Sequence, residues 1–487
     1  MLRRRTVSFA LAGALVLAGC TVGPDYQLPV LQVPDAWSEA ALEGVAAGEA
    51  RFQTWWEIFD DPVLDELIRR ARESNLDLEQ AYLRILEARA RLGIASGEKL
   101  PRVDASGSST RSEPSDNGLL GTALPGVDFG ASSLHSIGFD ASWEIDVFGR
   151  IRRAVESAAA GYEASFEDFR DVQVSLLAEV AQNYVNVRTV QERINVAEAN
   201  ARGQRETLQL ATDRYEGGLT SELDVRQAEL NLAATEASIP LLRAALAFSL
   251  NRLAVLVGEP PGAVHSVFTD LRPLLSASEG VDLGLPVDLL RQRPDVRSAE
   301  RRLAAQTALV GVATADLYPR FSLSGFFAFE STALGDLPKG SSVTWGFLPM
   351  VRYNLFDGNR IRARIDVEET RTEQAILRYE QVVLLALEEV ESSFVALQQE
   401  KLRRGLLEQA VSASSRSVEL VLIQYRSGLT DFQNVLDMQR GLFQQQDLLA
   451  ASNGQVSNNL ISLYKALGGG WSLDDSATSG AGEEQPQ

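Results

Sequence analysis

Apolar and polar side chains alternate without exception along residues 137–147. Glycine, serine and three carboxylates stand between the apolar positions, which are Ile137, Phe139, Ala141, Trp143, Ile145 and Val147. A period of two predicts a strand with one apolar and one polar face, and about eleven residues is the length of a tilted strand that crosses a bilayer. We predict that Asp140, Glu144 and Asp146 line the water-filled lumen of a barrel. A surface strand of a soluble β-sandwich is the alternative.

Helical patterns much longer than this strand lie on both sides of it. Asp61 followed by Pro62 is an N-cap with proline at the first helical position, and apolar spacing predicts a helix over residues 62–98. Residues 150–215 contain no proline, which predicts a helix of about 65 residues, roughly 97 Å long at about 1.5 Å per residue. No compact core holds such a helix, so it belongs to a coiled coil or helical tube.

The order of predicted elements occurs twice along the chain. The turn motif Gly218-Leu219-Thr220 matches Gly428-Leu429-Thr430, so the chain contains two structural repeats, residues 62–258 and 286–468. The predicted strands are 102–111, 136–148, 320–329 and 343–356, the long helices are 150–215 and 360–424, and the helices after the turns are 221–257 and 431–467.

Four strands per chain cannot close a membrane barrel, because the smallest such barrels have about eight. Open strand edges in lipid leave backbone groups unpaired, at a cost of several kcal/mol each. The chain is therefore expected to oligomerise. Two copies give about eight strands and a lumen filled by side chains, whereas three give about twelve and room for water. The small and acidic polar face favours three copies.

The N-terminus has the pattern of an export signal. Arg3, Arg4 and Arg5 precede an apolar stretch of about ten residues, too short to span a membrane as a helix. Leu-Ala-Gly-Cys at residues 17–20 resembles a bacterial lipobox. We expect a signal peptide at residues 1–19 and acylation of Cys20. A plain signal peptide with a chance cysteine is the alternative.

Composition argues against several functional classes. The formal net charge of −20, without a basic stripe, argues against a nucleic-acid partner. The two histidines, His135 and His265, and the single cysteine disfavour a zinc site, histidine-based catalysis and a disulfide framework. The sequence has no P-loop, no GxGxxG after a strand and no Ser/His/Asp set. We expect no catalysis, no cofactor and no bound metal.

On four motifs the chain resembles a TolC/OprM-type outer-membrane factor, in the NodT-like branch of efflux lipoproteins. The motifs are Cys-Thr-Val-Gly-Pro-Asp-Tyr at residues 20–26, the pair Trp55-Trp56, residues 142–153 and residues 289–301. The resemblance implies a mostly α fold with a β-barrel part. This TolC-like fold is a homotrimer with a twelve-stranded outer-membrane barrel, four strands per chain, on a long periplasmic helical tunnel.

The same resemblance implies an exit duct of a tripartite efflux pump, lipid-anchored in the bacterial outer membrane, that carries drugs or other small molecules outward. Implied partners are a periplasmic adaptor (membrane fusion) protein, an inner-membrane pump such as an RND transporter, and outer-membrane lipid. Residues 20–61 become a tether and equatorial segment, residues 259–285 an equatorial insert, and residues 469–487 a disordered tail. The alternatives are the channel of a type I secretion system and a periplasmic coiled-coil adaptor.

The resemblance also places a periplasmic gate near the second turn. Asp437 falls at a gating acid, Asn434 at the companion position, Thr430 at a gate arginine and Tyr425 at a tip tyrosine. A solvated helix carboxylate is the alternative for Asp437, and turn packing is the alternative for Tyr425. The turn residues expected to contact the adaptor are Gly217, Gly218, Leu219, Thr220, Ser221, Ser427, Gly428, Leu429, Thr430 and Asp431.

Overall fold

The computed structural model describes residues 21–31, 33–34, 37, 52–115, 130–269 and 292–472. The predicted signal peptide, Cys20 and the tail beyond residue 472 lie outside this part of the chain. Residues 270–291 also lie outside it, and with them the end of the predicted insert at residues 259–285.

The described elements follow the predicted order in both halves of the chain. Those of the first half are α1 (Pro62–Ser74), α2 (Leu76–Gly97), β1 (Arg102–Ser112), β2 (Ser132–Ile145), α3 (Arg150–Glu216) and α4 (Glu222–Leu256). Those of the second half are α5 (Pro294–Ala315), β3 (Arg320–Ser331), β4 (Val343–Arg352), α6 (Arg360–Arg426) and α7 (Phe432–Ala466). The long helices α3 and α6 have 67 residues each, and α4 and α7 have 35 each, so the two halves match.

The predicted single helix over residues 62–98 is wrong, because the chain leaves the helical conformation at Asn75. The Asn75 side-chain oxygen accepts hydrogen bonds from the backbone N–H groups of Asp77 at 2.9 Å and Leu78 at 3.0 Å. Its amide nitrogen donates to the Leu256 carbonyl at 2.9 Å. Asparagine readily caps a helix in this way, so one apolar pattern forms two helices, α1 and α2.

Two strands end earlier than predicted. β2 stops at Ile145, not near residue 148, and β4 stops at Arg352, not near residue 356. After β2 the Val147 N–H donates to the Ile145 carbonyl at 2.8 Å, and Gly149 adopts a left-handed φ of 84° before α3 begins. Asp146 therefore lies just after the strand and not within it, and its place in a barrel lumen stays a prediction.

The strands form one antiparallel sheet in the order β1-β2-β3-β4. Ala105, Phe139, Phe327 and Trp345 are opposite one another across the four strands and so share one face. The other members of this apolar face are Val103, Ile137, Ala141, Trp143, Ile145, Phe321, Leu323, Phe329, Val343, Phe347, Pro349 and Val351. The opposite face holds Ser106, Asp140, Ser142 and Ser324 among others, so the predicted two faces of β2 are confirmed. On β3 and β4 the apolar side chains Phe326, Leu348 and Met350 interrupt this polar face.

The chain divides into two compact units. The first consists of Met1–Val30, Ile85–Ser165 and Ala299–Tyr379 and contains the sheet. The second consists of Leu31–Arg84, Phe166–Ser298 and Glu380–Gln487. Each unit takes segments from both halves of the chain, so the compact units do not coincide with the predicted repeats at residues 62–258 and 286–468.

The second unit has a large apolar core around the Trp55-Trp56 motif. Trp55 is fully buried and stacks on Tyr464, with ring centres 5.7 Å apart. Asp61 caps α1 by accepting from the Val63 N–H at 2.8 Å, as predicted, and also accepts from the Tyr184 hydroxyl. Burial raises the pKa of Tyr184 to about 12, so this hydroxyl stays protonated and remains a donor.

Helices α3 and α4 pair lengthwise in the second unit through ion pairs. Arg205 lies 2.5 Å from Glu236, Arg243 lies 3.0 Å from Glu198, and Arg252 pairs with Glu179. Among the described helices, α4 is long and apolar enough to span a bilayer by length and composition. Two of its arginines, Arg243 and Arg252, however, pair with carboxylates of α3.

Candidate functional site

The two interhelical turns have the same backbone hydrogen bonds. In the first turn the Leu219 N–H donates to the Arg214 carbonyl at 2.8 Å, and in the second the Leu429 N–H donates to the Gln424 carbonyl at 2.9 Å. In each turn the glycine N–H also donates to the carbonyl three residues earlier, Gly218 to Tyr215 at 2.9 Å and Gly428 to Tyr425 at 3.0 Å, which completes a Schellman motif at both helix ends.

Each motif needs one residue in the left-handed conformation, which glycine adopts without a steric penalty. Gly218 has φ of 71° and Gly428 has φ of 74°. The next residue in each turn points outward: Leu219 is 69% exposed and Leu429 is 79% exposed. Each turn therefore holds an exposed leucine in a position that the backbone conformation of the Schellman motif determines.

An apolar cluster lies beneath the turns and joins all four helices that end there. Its buried members are Ala211, Ala228, Val421, Tyr425, Phe432, Val435 and Leu436. Tyr425 is 3% exposed and packs on Phe432, with ring centres 5.2 Å apart. The Arg214 guanidinium lies 4.8 Å from the centre of the Tyr425 ring, and its Nη1 donates to the Arg426 carbonyl at 3.2 Å. Burial raises the pKa of Tyr425.

The two tip tyrosines differ in their surroundings although they occupy matching places in the repeat. Tyr215 is 44% exposed, whereas Tyr425 is buried. Glu222 begins α4 where Phe432 begins α7, so the first turn lacks the aromatic ring that covers Tyr425. Within one chain, the predicted gate residue Tyr425 is thus a packing residue of the tip.

A threonine at each turn is bonded to a polar side chain four residues later. The Asn434 amide donates to the Thr430 hydroxyl at 2.9 Å, and the Thr220 hydroxyl donates to Asp224. Asp431 also caps α7 by accepting from the Asn434 N–H at 3.1 Å. The companion position beside Asp437 thus holds the amide Asn434, whereas the matching place in the first half holds an acid, Asp224.

Asp437 is exposed on the second turn of α7. Its carboxylate accepts a hydrogen bond from the Gln433 side chain at 2.9 Å. Asn434 is exposed one turn earlier on the same helix. The two predicted gate residues on α7 thus lie on the solvent side of the single chain, away from the buried Tyr425.

The three predicted lumen carboxylates have three different environments. Asp140 is exposed on the polar face of β2 and accepts from the Ser106 hydroxyl at 2.9 Å. Glu144, at the end of β2, pairs with Arg150 at 2.8 Å. Asp146 accepts from the backbone N–H of Arg152 at 2.9 Å, at the start of α3. Of these three carboxylates, Asp140 lies within β2 and contacts a serine, whereas Glu144 and Asp146 each contact an arginine.

Sequence reasoning missed Arg214 and Phe432 at the tips. Arg214 belongs to no recognisable sequence motif. Its partner Tyr425 lies about two hundred positions further along the chain, so no local pattern indicates the contact. Asp224 could have been found from the repeat, since the offset that aligns Gly218 with Gly428 also aligns Asp224 with Asn434. Among the described residues, no group of three or more His, Cys, Asp or Glu side chains is arranged to hold a metal ion.

Comparison with known proteins places this geometry in a family. The family model described as "Outer membrane efflux protein" matches residues 67–259 and 285–469, more than half of the chain. Nodulation protein T of Rhizobium leguminosarum bv. trifolii is 31% identical over 458 residues, which cover 94% of this chain and 96% of that protein. The solvent efflux pump outer membrane protein SrpC of Pseudomonas putida is 33% identical, over 96% of this chain and 98% of its own.

Solved structures agree with the sequence comparisons. The outer-membrane channel OprN is 36% identical and superposes with a TM-score of 0.86, covering 93% of this chain and all of that one. The outer membrane channel CmeC of Campylobacter jejuni, at 23% identity and a TM-score of 0.86, shares the fold. The predicted TolC-like fold is thereby confirmed. The chain belongs to the outer membrane efflux protein family and is an outer-membrane efflux channel.

Proposed function

We propose that this channel is the exit duct of a tripartite pump. Three copies form the duct, and its two exposed turns per chain receive a periplasmic adaptor that connects it to an inner-membrane pump of the RND type. The observation that supports this assembly most directly is the matched pair of turns, which present Leu219 and Leu429 on the same hydrogen-bonded backbone motif.

Three copies are supported by the sheet. β1 and β4 each have one neighbour within the sheet, so each has a free edge. In lipid those edges cost several kcal/mol for each unpaired backbone group, and pairing β4 of one copy with β1 of the next removes them. Native mass spectrometry in detergent is expected to give a trimer. A stable monomer or dimer would contradict this closure.

Docking at the tips is supported by the exposure of both leucines. An interface gains most from apolar side chains that lose water on binding and that need no rearrangement. The experiment places a photo-crosslinking amino acid at position 219 or 429 in cells, with Leu334 as the control, because that leucine is 67% exposed on the β3–β4 connection. We expect crosslinks to a periplasmic adaptor from both tip positions and none from position 334. Crosslinks from neither tip position would refute tip docking.

The lipid anchor belongs to the same proposal. The sequence around Cys20 is that of a lipoprotein signal, and two residues after it the Val22 N–H donates to the Phe148 carbonyl at 3.1 Å. A cleaved and acylated Cys20 would add a membrane attachment in the outer membrane beside that of the sheet.

A further inference from the structure

Residues 21–26 begin the described part of the chain, and they are bound to the first unit along their length. The Val22 N–H donates to the Phe148 carbonyl at 3.1 Å, just beyond the end of β2. Thr21 lies against Gly149, where an added Cβ would be 2.8 Å from the Thr21 methyl carbon. Gly149 also has a left-handed φ of 84°. The segment thus begins at a junction that only glycine fits well.

Arg153 holds the middle of the segment. Its side chain is 4% exposed. Nε donates to the Val22 carbonyl at 3.1 Å, and Nη2 donates to the Gly23 carbonyl at 3.2 Å and to Asp25 at 2.6 Å. Nη1 donates to Glu156 at 2.7 Å on its own helix. A planar guanidinium can bind backbone carbonyls and a carboxylate together because its donors point in fixed directions.

Close backbone contact completes the middle of the site. Gly23 has φ of 86°, and a Cβ there would overlap the Cα of Gly311 on α5. A Cβ on Gly311 would in turn lie 2.8 Å from Cγ of Arg153. The segment, the arginine stem and α5 are therefore in contact at a point where both glycines are required.

The far end of the segment is bound by α5. The Tyr26 hydroxyl donates to Glu300 at 3.3 Å, and the Arg301 guanidinium lies 5.6 Å from the centre of the Tyr26 ring. Glu300 and Arg301 also pair with each other. Three motifs that are far apart in the sequence, at residues 20–26, 142–153 and 289–301, therefore meet in one place.

We propose that Gly149, Arg153, Glu300, Arg301 and Gly311 form a binding site for the chain's own mature N-terminal segment, residues 21–26. The site takes Phe148 to Arg153 from the first half of the chain and Glu300 to Gly311 from the second, so filling it joins the two halves beside the sheet. Binding in this site holds Thr21, the residue after Cys20, against Gly149, just beyond the end of β2. The site itself does not depend on the proposed acylation; if Cys20 is acylated, the lipid is attached next to the sheet and not on a free tether.

Hydrogen exchange measured on the full-length protein in detergent tests the proposal. Peptides covering residues 21–26 are expected to be protected in the wild type and equally protected in Cys20→Ser, because Arg153, Glu300 and Arg301, and not a lipid, hold the segment. Arg153→Met keeps the stem over Gly311 but removes every donor, so exchange in this segment should rise by about tenfold or more. Arg371→Met is the matched control, since Arg371 is a surface arginine of the same unit that pairs with Glu368 on its own helix.

A second pair of variants distinguishes release of the segment from general unfolding caused by Arg153→Met. Gly23→Ala leaves Arg153 in place and should release the segment alone, whereas Gly161→Ala, in a helix with nothing near an added Cβ, should change nothing. Peptides from β2 and β3 report on the sheet itself. The proposal is overturned if the wild-type segment exchanges freely, if Cys20→Ser alone releases it, or if Gly23→Ala leaves its protection unchanged.

Discussion

The Arg214 guanidinium lies 4.8 Å from the centre of the Tyr425 ring. Because Arg214 also donates to the Arg426 carbonyl, one side chain of α3 binds both the ring and the backbone at the end of α6. The two tips of a single chain are thus connected to each other at the level of the turns.

We predict that Arg214→Met loosens this connection. A cation–π contact and a hydrogen bond to a carbonyl together contribute about 1–2 kcal/mol, so conductance of the resting channel in planar bilayers should rise. Arg226→Met is the control, because Arg226 is exposed and pairs with Glu222 and Glu229 of its own helix. Unchanged resting conductance in Arg214→Met would show that this contact does not restrict the channel.

Charge at the exposed tip leucines should abolish efflux. In Leu219→Glu or Leu429→Glu the side chain is already in water, so the trimer should stay intact while an apolar docking surface is lost. Resistance of cells to an exported compound gives the readout, and Leu334→Glu, at a similarly exposed leucine, should behave as the wild type. Normal efflux in both tip variants would exclude the turns as the docking surface.

Asp437 is expected to govern cation block at the periplasmic mouth. Three such carboxylates around the axis of a trimer would make the local potential strongly negative. Asp437→Asn removes the charge but keeps an acceptor for Gln433, and Gln433→Ala removes the donor but keeps the charge. In planar bilayers, block by cations from the periplasmic side should weaken in the first variant alone. Equal block in all three proteins would make Asp437 a solvated carboxylate.

Acylation of Cys20 can be read from mass. Membrane-extracted protein should begin at this residue with two or three acyl chains, because the preceding residues match a lipobox. Cys20→Ser should lack the acyl mass and be retained less well in membranes, while the sheet still inserts. An unmodified cysteine in the mature chain would refute the anchor.

Stability should depend on pH through Asp171. Burial, followed by the nearby charge of Asp295, raises the pKa of this carboxyl to about 6, against the opposing charges of Arg293 and Lys465. Its folded pKa is above the unfolded value, so the folded state binds the extra proton. Stability therefore falls as pH rises from about 4 to about 6, by roughly 1–2 kcal/mol given the residue's partial exposure.

Asp171→Asn tests this dependence because it removes the titration and keeps the size of the side chain. The midpoint of thermal denaturation should fall less between pH 4 and pH 7 in Asp171→Asn than in the wild type. The exposed Asp437→Asn should keep the wild-type slope. Parallel curves for the wild type and Asp171→Asn would contradict the assignment.

Periodicity and repetition made most of the fold predictable. The alternation around Phe139 predicted which face of β2 is apolar, and the turn motif at Gly218 and Gly428 predicted two matching helix ends. Both features depend on neighbours in sequence. The same kind of signal extended β2 too far, since the alternating pattern continues to Val147 while the strand ends at Ile145. The apolar periodicity also did not indicate the break at Asn75, because that break depends on one side chain that caps a helix.

Long-range contacts account for what the sequence could not predict. Arg214 on Tyr425, and Arg153 around Gly23, join residues separated by more than a hundred positions, and no spacing rule relates them. Residues 21–26 looked like a tether because they are polar and contain proline. Their binding site consists of side chains from two other parts of the chain, which become neighbours only after folding.

The two edge strands differ greatly in the bulk of their apolar face. β1 presents Val103, Ala105 and Gly107 there, whereas β4 presents Val343, Trp345 and Phe347. Within the sheet, Phe347 already lies 3.4 Å from the position of a Cβ on Gly325. In a closed barrel each seam would set the ring-rich strand of one copy beside the nearly smooth strand of the next. The outer wall would then be corrugated, with aromatic ridges alternating with shallow furrows that surrounding acyl chains fill.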